Sequence, residues 1–175
     1  KEWGVEQNVR DARIATIYEG TTGIQALDFT GRKVLGSGGE LLRQFTRDIH
    51  IFCQTHAENS AITKFVSPLA ELNKKWGELT MKIGTRSLEN PDEAGAASVD
   101  YLMFSGYACL AYFWAMAAAK AQEALSSETT DTDFYDAKLS TATFYFERIL
   151  PRTLTHEASI LSGAANLMTI PPQQF

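Results

Sequence analysis

Apolar side chains at Leu69, Leu72, Trp76, Leu79 and Ile83 recur at steps of three and four, which is the period of one helix face. The same period governs most of the chain. No stretch alternates apolar and polar residues as a half-buried strand would, and no repeat of fixed length is present. An all-α fold follows.

Glycine and proline divide this helical pattern into segments. Val5 to Ile17 is rich in helix formers, and a polar, glycine-containing break follows at Glu19-Gly20-Thr21-Thr22-Gly23. Thr22 with Gln25 three residues on fits a capping box, and Ile24, Leu27, Val34 and Leu35 give the next helix its apolar stripe. Gly36-Ser37-Gly38-Gly39 ends it. Leu41, Leu42, Phe45, Ile49, Ile51 and Phe52 mark a helix from Glu40 to about His56. Ser67-Pro68 reads as a cap and first-turn proline starting the next helix, which Asn90-Pro91-Asp92 breaks. A long helix spans about Glu93 to Leu125, the polar stretch 126–133 forms a loop, and a last helical segment runs from about Phe134 to Ala165. Pro151 should kink or split that segment, and Pro171-Pro172 ends the ordered chain. The architecture expected is an up-and-down bundle: a lead-in helical pair, then about four antiparallel helices.

At 175 residues the chain holds one domain, or one domain with a structured arm. A hydrophobic share of 45% with 21% charged residues supports a packed core. The net charge of -5 and pI near 5.2 argue against nucleic acid, whose backbone attracts a basic footprint. They leave room for a CoA thioester, since a few local basic groups can hold one ligand. Cys53 and Cys109 cannot build a disulfide framework, so a reducing compartment is the default. Lys1-Glu2-Trp3-Gly4 is neither an initiator start nor a signal peptide, and reads as a cut inside a larger protein.

Chemistry concentrates in Arg10-Asp11-Ala12-Arg13-Ile14-Ala15-Thr16-Ile17-Tyr18-Glu19-Gly20-Thr21-Thr22-Gly23-Ile24-Gln25. Taken by itself, Glu19 in such a turn is a solvated loop carboxylate. The whole string, however, resembles the signature of acyl-CoA dehydrogenases near their carboxy-terminal end: R-D-A-R/K, then I-Y-E-G-T, two variable residues, and I-Q. Phe144-Tyr145-Phe146-Glu147-Arg148-Ile149-Leu150-Pro151 and Gly163-Ala164-Ala165-Asn166-Leu167-Met168 resemble the carboxy-terminal extension of the methylmercaptopropionyl-CoA dehydrogenase-like branch.

The resemblance implies α,β-dehydrogenation of an acyl-CoA thioester to the 2,3-enoyl-CoA. Glu19 would be the base that removes the α-proton, and FAD would accept the hydride from the β-carbon. Electron-transferring flavoprotein or a similar acceptor would reoxidise the flavin. Gly20 and Tyr18 match positions on the substrate side, while Thr21 and Thr22 match positions against the ribityl-pyrophosphate side of the cofactor. Gly23 stands where medium-chain enzymes commonly carry glutamine. A carboxylate at the amino end of a helix is favoured in its charged form by the macrodipole. Burial beside a flavin and an acyl chain pushes its pKa the other way, toward the range of a general base. Residues 1–36 would then belong to the catalytic helical domain and 37–175 to the extension. The chain alone should be inactive and colourless. The expected setting is the bacterial cytoplasm, or the mitochondrial matrix in a eukaryote.

Other clusters have plainer readings. His50, Cys53 and His56 offer zinc-ligand chemistry at i, i+3 and i+6, yet a tetrahedral site needs a fourth ligand. A buried cysteine with two partly exposed histidines is the simpler account, and no metal is expected. Tyr101 to Ala119 carries no formal charge; burial in the bundle or in a homo-oligomer competes there with membrane-surface contact and with spanning. Glu71 and Glu78 stand four residues before Lys75 and Lys82, as in helix-surface ion pairs. Arg32-Lys33 could reach a phosphate or a neighbouring subunit. A non-catalytic helical module for dimerisation or partner docking is the competing overall reading.

Overall fold

The computed structural model describes residues 4–17, 21–127, 129–167 and 169–174. Among them every regular element is helical: α1 (Glu6–Arg13, tightening through Ile14–Thr16), α2 (Thr22–Leu27), α3 (Glu40–Thr55), α4 (Thr63–Glu89), α5 (Asp92–Leu125), α6 (Thr132–Phe144) and α7 (Thr153–Ser162). The all-α bundle anticipated from periodicity is what forms.

Helix α5 is the axis of the bundle, and α2, α4, α6 and α7 all pack on it. The sequence explains why. Its inward face carries Ala97, Ala108, Ala111, Ala115, Ala118 and Ala121, all buried, so neighbouring helices approach closely. Tyr101 and Phe104 fill the larger gaps on the same face, against Trp76, Leu79 and Ile83 of α4. A two-residue link sets α4 and α5 antiparallel. Asn90 is extended (φ -138°, ψ 105°), the region a residue before proline prefers, and its side-chain oxygen accepts the N–H of Asp92 at 3.1 Å.

Two termini show the glycine logic at work. Gly38 and Gly39 take left-handed φ values of 62° and 79°, and the Gly39 N–H donates to the Val34 carbonyl at 2.9 Å, closing a Schellman-type end. Gly163 ends α7 at φ 76° and ψ -172°, a region only glycine occupies readily. There Arg86 donates to the Leu161 carbonyl at 3.1 Å and Glu93 accepts the Ala164 N–H at 3.0 Å. The α4–α5 corner thereby grips the end of α7.

Several local expectations need correction. Thr22 is the first helical residue rather than the cap. The Gln25 N–H goes to the Thr21 carbonyl at 2.9 Å, which puts Thr21 at the cap with Ile24 three residues on, so the expected capping box does not form. Helix α4 starts at Thr63, not at Ser67-Pro68, because burying Ile62, Phe65 and Val66 outweighs the bond lost at Pro68. Lys75 reaches across to Glu157 of α7 at 3.1 Å and to Glu78 at 3.4 Å, rather than back to Glu71. Leu41 and Ile51 face outward, while Leu42, Ile49 and Cys53 carry the α3 contact. Pro151 acts as anticipated: the chain leaves α geometry over Tyr145–Ile149 and Leu150–Arg152 before α7 begins.

A β-carbon at position 163 would lie 3.0 Å from a Glu93 carboxylate oxygen, on a backbone that already disfavours side chains. Gly163→Ala should therefore lower stability by about 1–3 kcal/mol in urea titrations. An unchanged midpoint would show that the grip on α7 contributes nothing.

Candidate functional site

Three of the residues singled out by the sequence, Tyr18, Glu19 and Gly20, lie outside the described residues. What is described frames them on both sides. The first helical segment closes at Thr16, and α2 opens at Thr22. Helix α2 is seated firmly. Ala26 has no exposed surface, Phe29 stacks on Tyr101 with ring centroids 5.7 Å apart, and Thr30 and Val34 are buried beyond it. Over Asp28–Val34 the same helix widens into a π-type turn, a feature often found beside functional sites.

The amino end of α2 presents a different surface. Thr21 is half-buried and Thr22 exposed, and a β-carbon on Gly23 would meet nothing within 4 Å. Ile24 and Leu27 are 70% and 53% exposed. Helix α1 buries no residue and leaves Val5, Val9, Ile14 and Ile17 in solvent, its polar face tied by Arg10 to Glu6 at 2.6 Å. First-turn N–H groups, threonine hydroxyls and an apolar rim are the kinds of group that hold an anion attached to a flat aromatic system. The set therefore fits a nucleotide cofactor in chemical type. Arg32 pairs with Asp28 on the next turn, and Lys33 beside it is exposed.

Nothing brings the zinc candidates together. His50 is exposed, His56 lies against the Phe52 ring at 4.6 Å, and Cys53 is buried with its thiol donating to the Val66 carbonyl at 3.9 Å. Among the described residues no three metal-ligating side chains converge. Burial pushes the Cys53 thiol up to about 11.

Two features escaped the sequence reading. One is an apolar groove of about 580 Å³ between the start of α3 and α4, bordered by Leu35, Leu42, Met81 and Leu88 over Gly77 and Gly84. Those two glycines, seven residues apart, were the available signal. The other is a half-buried cluster in which His156 Nδ1 lies 2.8 Å from Asp100, with the Tyr107 ring stacked on the imidazole. Its members are 56 residues apart, so no local pattern announces it.

An antiparallel helical bundle preceded by two short helices is the class of protein these elements define. The chain belongs to the family described as "Acetyl-CoA dehydrogenase C-terminal like", whose model matches residues 45–171, from within α3 to beyond α7. It is 35% identical to 3-methylmercaptopropionyl-CoA dehydrogenase of Ruegeria pomeroyi, over 97% of this chain and 29% of that protein. It is 31% identical to the broad-specificity linear acyl-CoA dehydrogenase FadE5 of Mycobacterium tuberculosis, over 86% and 26%. A butyryl-CoA dehydrogenase of Syntrophomonas wolfei is 27% identical, over 100% and 29%. The chain thus spans less than a third of the length of these relatives.

The shift at Cys53 carries a pH consequence. Folding raises this pKa from 9.0 to about 11, so the folded state favours the neutral thiol. Its contribution to stability is complete below pH 9 and is lost as pH rises toward 11. Urea midpoints should fall across that window in the protein, and fall less in Cys53→Ala. Parallel profiles for the two proteins would disprove the assignment.

Proposed function

We propose that this chain is the carboxy-terminal part of a flavin-dependent acyl-CoA dehydrogenase, in which Glu19 is the base that takes the α-proton of the bound thioester. The observation carrying this reading is the string Arg10 to Gln25, whose last residues, Thr22 to Gln25, open a helix that packs on α5. The names of relatives that match nearly the whole chain point the same way.

In this reading each residue has a defined task. The Glu19 carboxylate receives the α-proton while the β-hydrogen departs as hydride, leaving a double bond between the two carbons. FAD, when bound, supplies the hydride acceptor at N5. The Gly20 backbone lies along the thioester, since the absence of a side chain permits close approach. Tyr18 borders the substrate. Thr21 and Thr22, with the first-turn N–H groups of α2, would hold the ribityl-pyrophosphate portion of the cofactor. The exposed Ile24 and Leu27 provide apolar surface beside it. Electron-transferring flavoprotein or a similar acceptor would remove the electrons.

Positions 1–36 serve the catalytic half and 37–175 the extension, with α2 seated on α5 between them. The flavin and acyl pockets are completed by polypeptide beyond this chain, so the 175 residues alone neither bind flavin stoichiometrically nor turn over. The bacterial relatives favour a cytoplasmic setting.

Anaerobic mixing of the flavin-loaded, full-length enzyme with acyl-CoA thioesters provides the test. Glu19→Gln should leave flavin content unchanged and slow bleaching of the flavin by roughly 10²–10⁴-fold, the range for losing a positioned base. Bleaching at the unmodified rate would remove Glu19 from the mechanism.

A further inference from the structure

Helix α2 and its π-type continuation over Asp28–Val34 rest on α5 along one face. Ala26, Thr30 and Val34 are buried there, and the half-buried Phe29 stacks on Tyr101 with ring centroids 5.7 Å apart and planes 29° from parallel. Gln25 and Leu27 beside them are exposed. Contact between small aliphatic groups is non-directional, so it holds a helix down without fixing its tilt. Two aromatic faces are different, because their quadrupoles favour an offset stack of defined geometry. Phe29 is therefore the side chain of α2 that fixes how the helix lies.

Its platform does not move with it. Tyr101 has no exposed surface, and its hydroxyl meets the Thr80 hydroxyl of α4 at 2.6 Å. Thr80 gives its own proton to the Trp76 carbonyl at 2.7 Å. The Tyr101 ring is thus held by α5 through its backbone and by α4 through its hydroxyl. Helix α2 is aligned to a plane set by the core of the bundle.

Glu19 stands three residues before Thr22, the first residue of α2, so the direction of α2 limits where that carboxylate can reach. We infer that Phe29 and Tyr101 are positioning residues for the Glu19 base, acting through the orientation of α2. The inference rests on the role proposed for Glu19 above. It gives the extension a part in proton removal, since Tyr101 acts through α2 and not by contact with the thioester.

The lever is long enough to matter. Phe29 is seven residues from Thr22, about 10 Å along a helix, so a tilt of about 6° at the stack moves the amino end by about 1 Å. Reacting atoms have to approach to about 3–3.5 Å, and a misplacement of about 1 Å can slow a reaction about a hundredfold.

Reduction of the bound flavin by saturating acyl-CoA, followed by stopped flow in the flavin-loaded, full-length enzyme, tests the stack. Phe29→Leu should slow reduction per bound flavin by about tenfold or more, with flavin content and half-saturating substrate concentration unchanged. Tyr101→Leu should do the same, and the double variant should be no slower than the slower single one, because either change removes the one stack. Phe29→Tyr keeps the flat face and should stay within about twofold of the unmodified rate. Ile160→Val, in the core on α7, should lower the urea midpoint and leave the rate per flavin unchanged. Phe29 is only half-buried, so its variants carry the test even if Tyr101→Leu does not fold. An unmodified rate in Phe29→Leu would overturn the inference, as would multiplied losses in the double variant or an equal slowing in Ile160→Val. Glu19→Gln separates this inference from the one beneath it. If Glu19→Gln slows reduction and Phe29→Leu does not, the base stands and its positioning by the stack falls. If Glu19→Gln changes nothing, the base itself falls.

Discussion

The seam between α4 and α5 is the contact on which the rest of the molecule leans. Trp76, Tyr101 and Phe104 are almost wholly removed from water there, each contributing on the order of 2–3 kcal/mol of transfer free energy. Tyr101 brings a hydroxyl into this core, and its burial has to be compensated. Thr80 donates to the Trp76 carbonyl at 2.7 Å, which leaves its oxygen to accept the Tyr101 proton at 2.6 Å. Desolvation raises the phenol to about 12, so it stays a neutral donor at any ordinary pH. The seam is apolar in bulk, and the Tyr101 hydroxyl within it is paired.

That seam also positions α2, the helix that follows Glu19 in the sequence. Phe29 of α2 stacks on the same Tyr101 that joins α4 to α5, and Phe45 of α3 packs edge-on against Trp76 at 6.1 Å. The amino end of α2 is therefore set by the core, although its first residues face solvent. Among the described residues α1 has no such anchor: it buries none of its residues, and Val5, Val9, Ile14 and Ile17 are exposed. A packed bundle thus carries a lead whose apolar surface stays open among the described residues.

Small residues do two opposite things along α5. On the inner face alanines allow α2, α4, α6 and α7 to crowd around one helix. On the outer face Gly95 and Gly106 leave the backbone bare between larger apolar groups. A helix surrounded on most sides would normally be polar on the remaining one. The absence of charge between Asp100 and Lys120 gives α5 two apolar faces, one filled by its own chain.

The sequence by itself determined the helical class, the break at Asn90-Pro91, the glycine stop at Gly38-Gly39 and the disruption near Pro151. Each depends on backbone sterics or on a period of 3.6, and those act locally. It also supplied the Arg10 to Gln25 string, because a chemical motif is written in consecutive residues. Tertiary structure alone decided where α4 begins and that Lys75 pairs with Glu157. Only folding could place His156 against Asp100, or the Gly163 turn in the grip of Arg86 and Glu93. These outcomes rest on residues far apart in the chain, whose meeting is fixed by which apolar faces find each other and not by any neighbour in sequence.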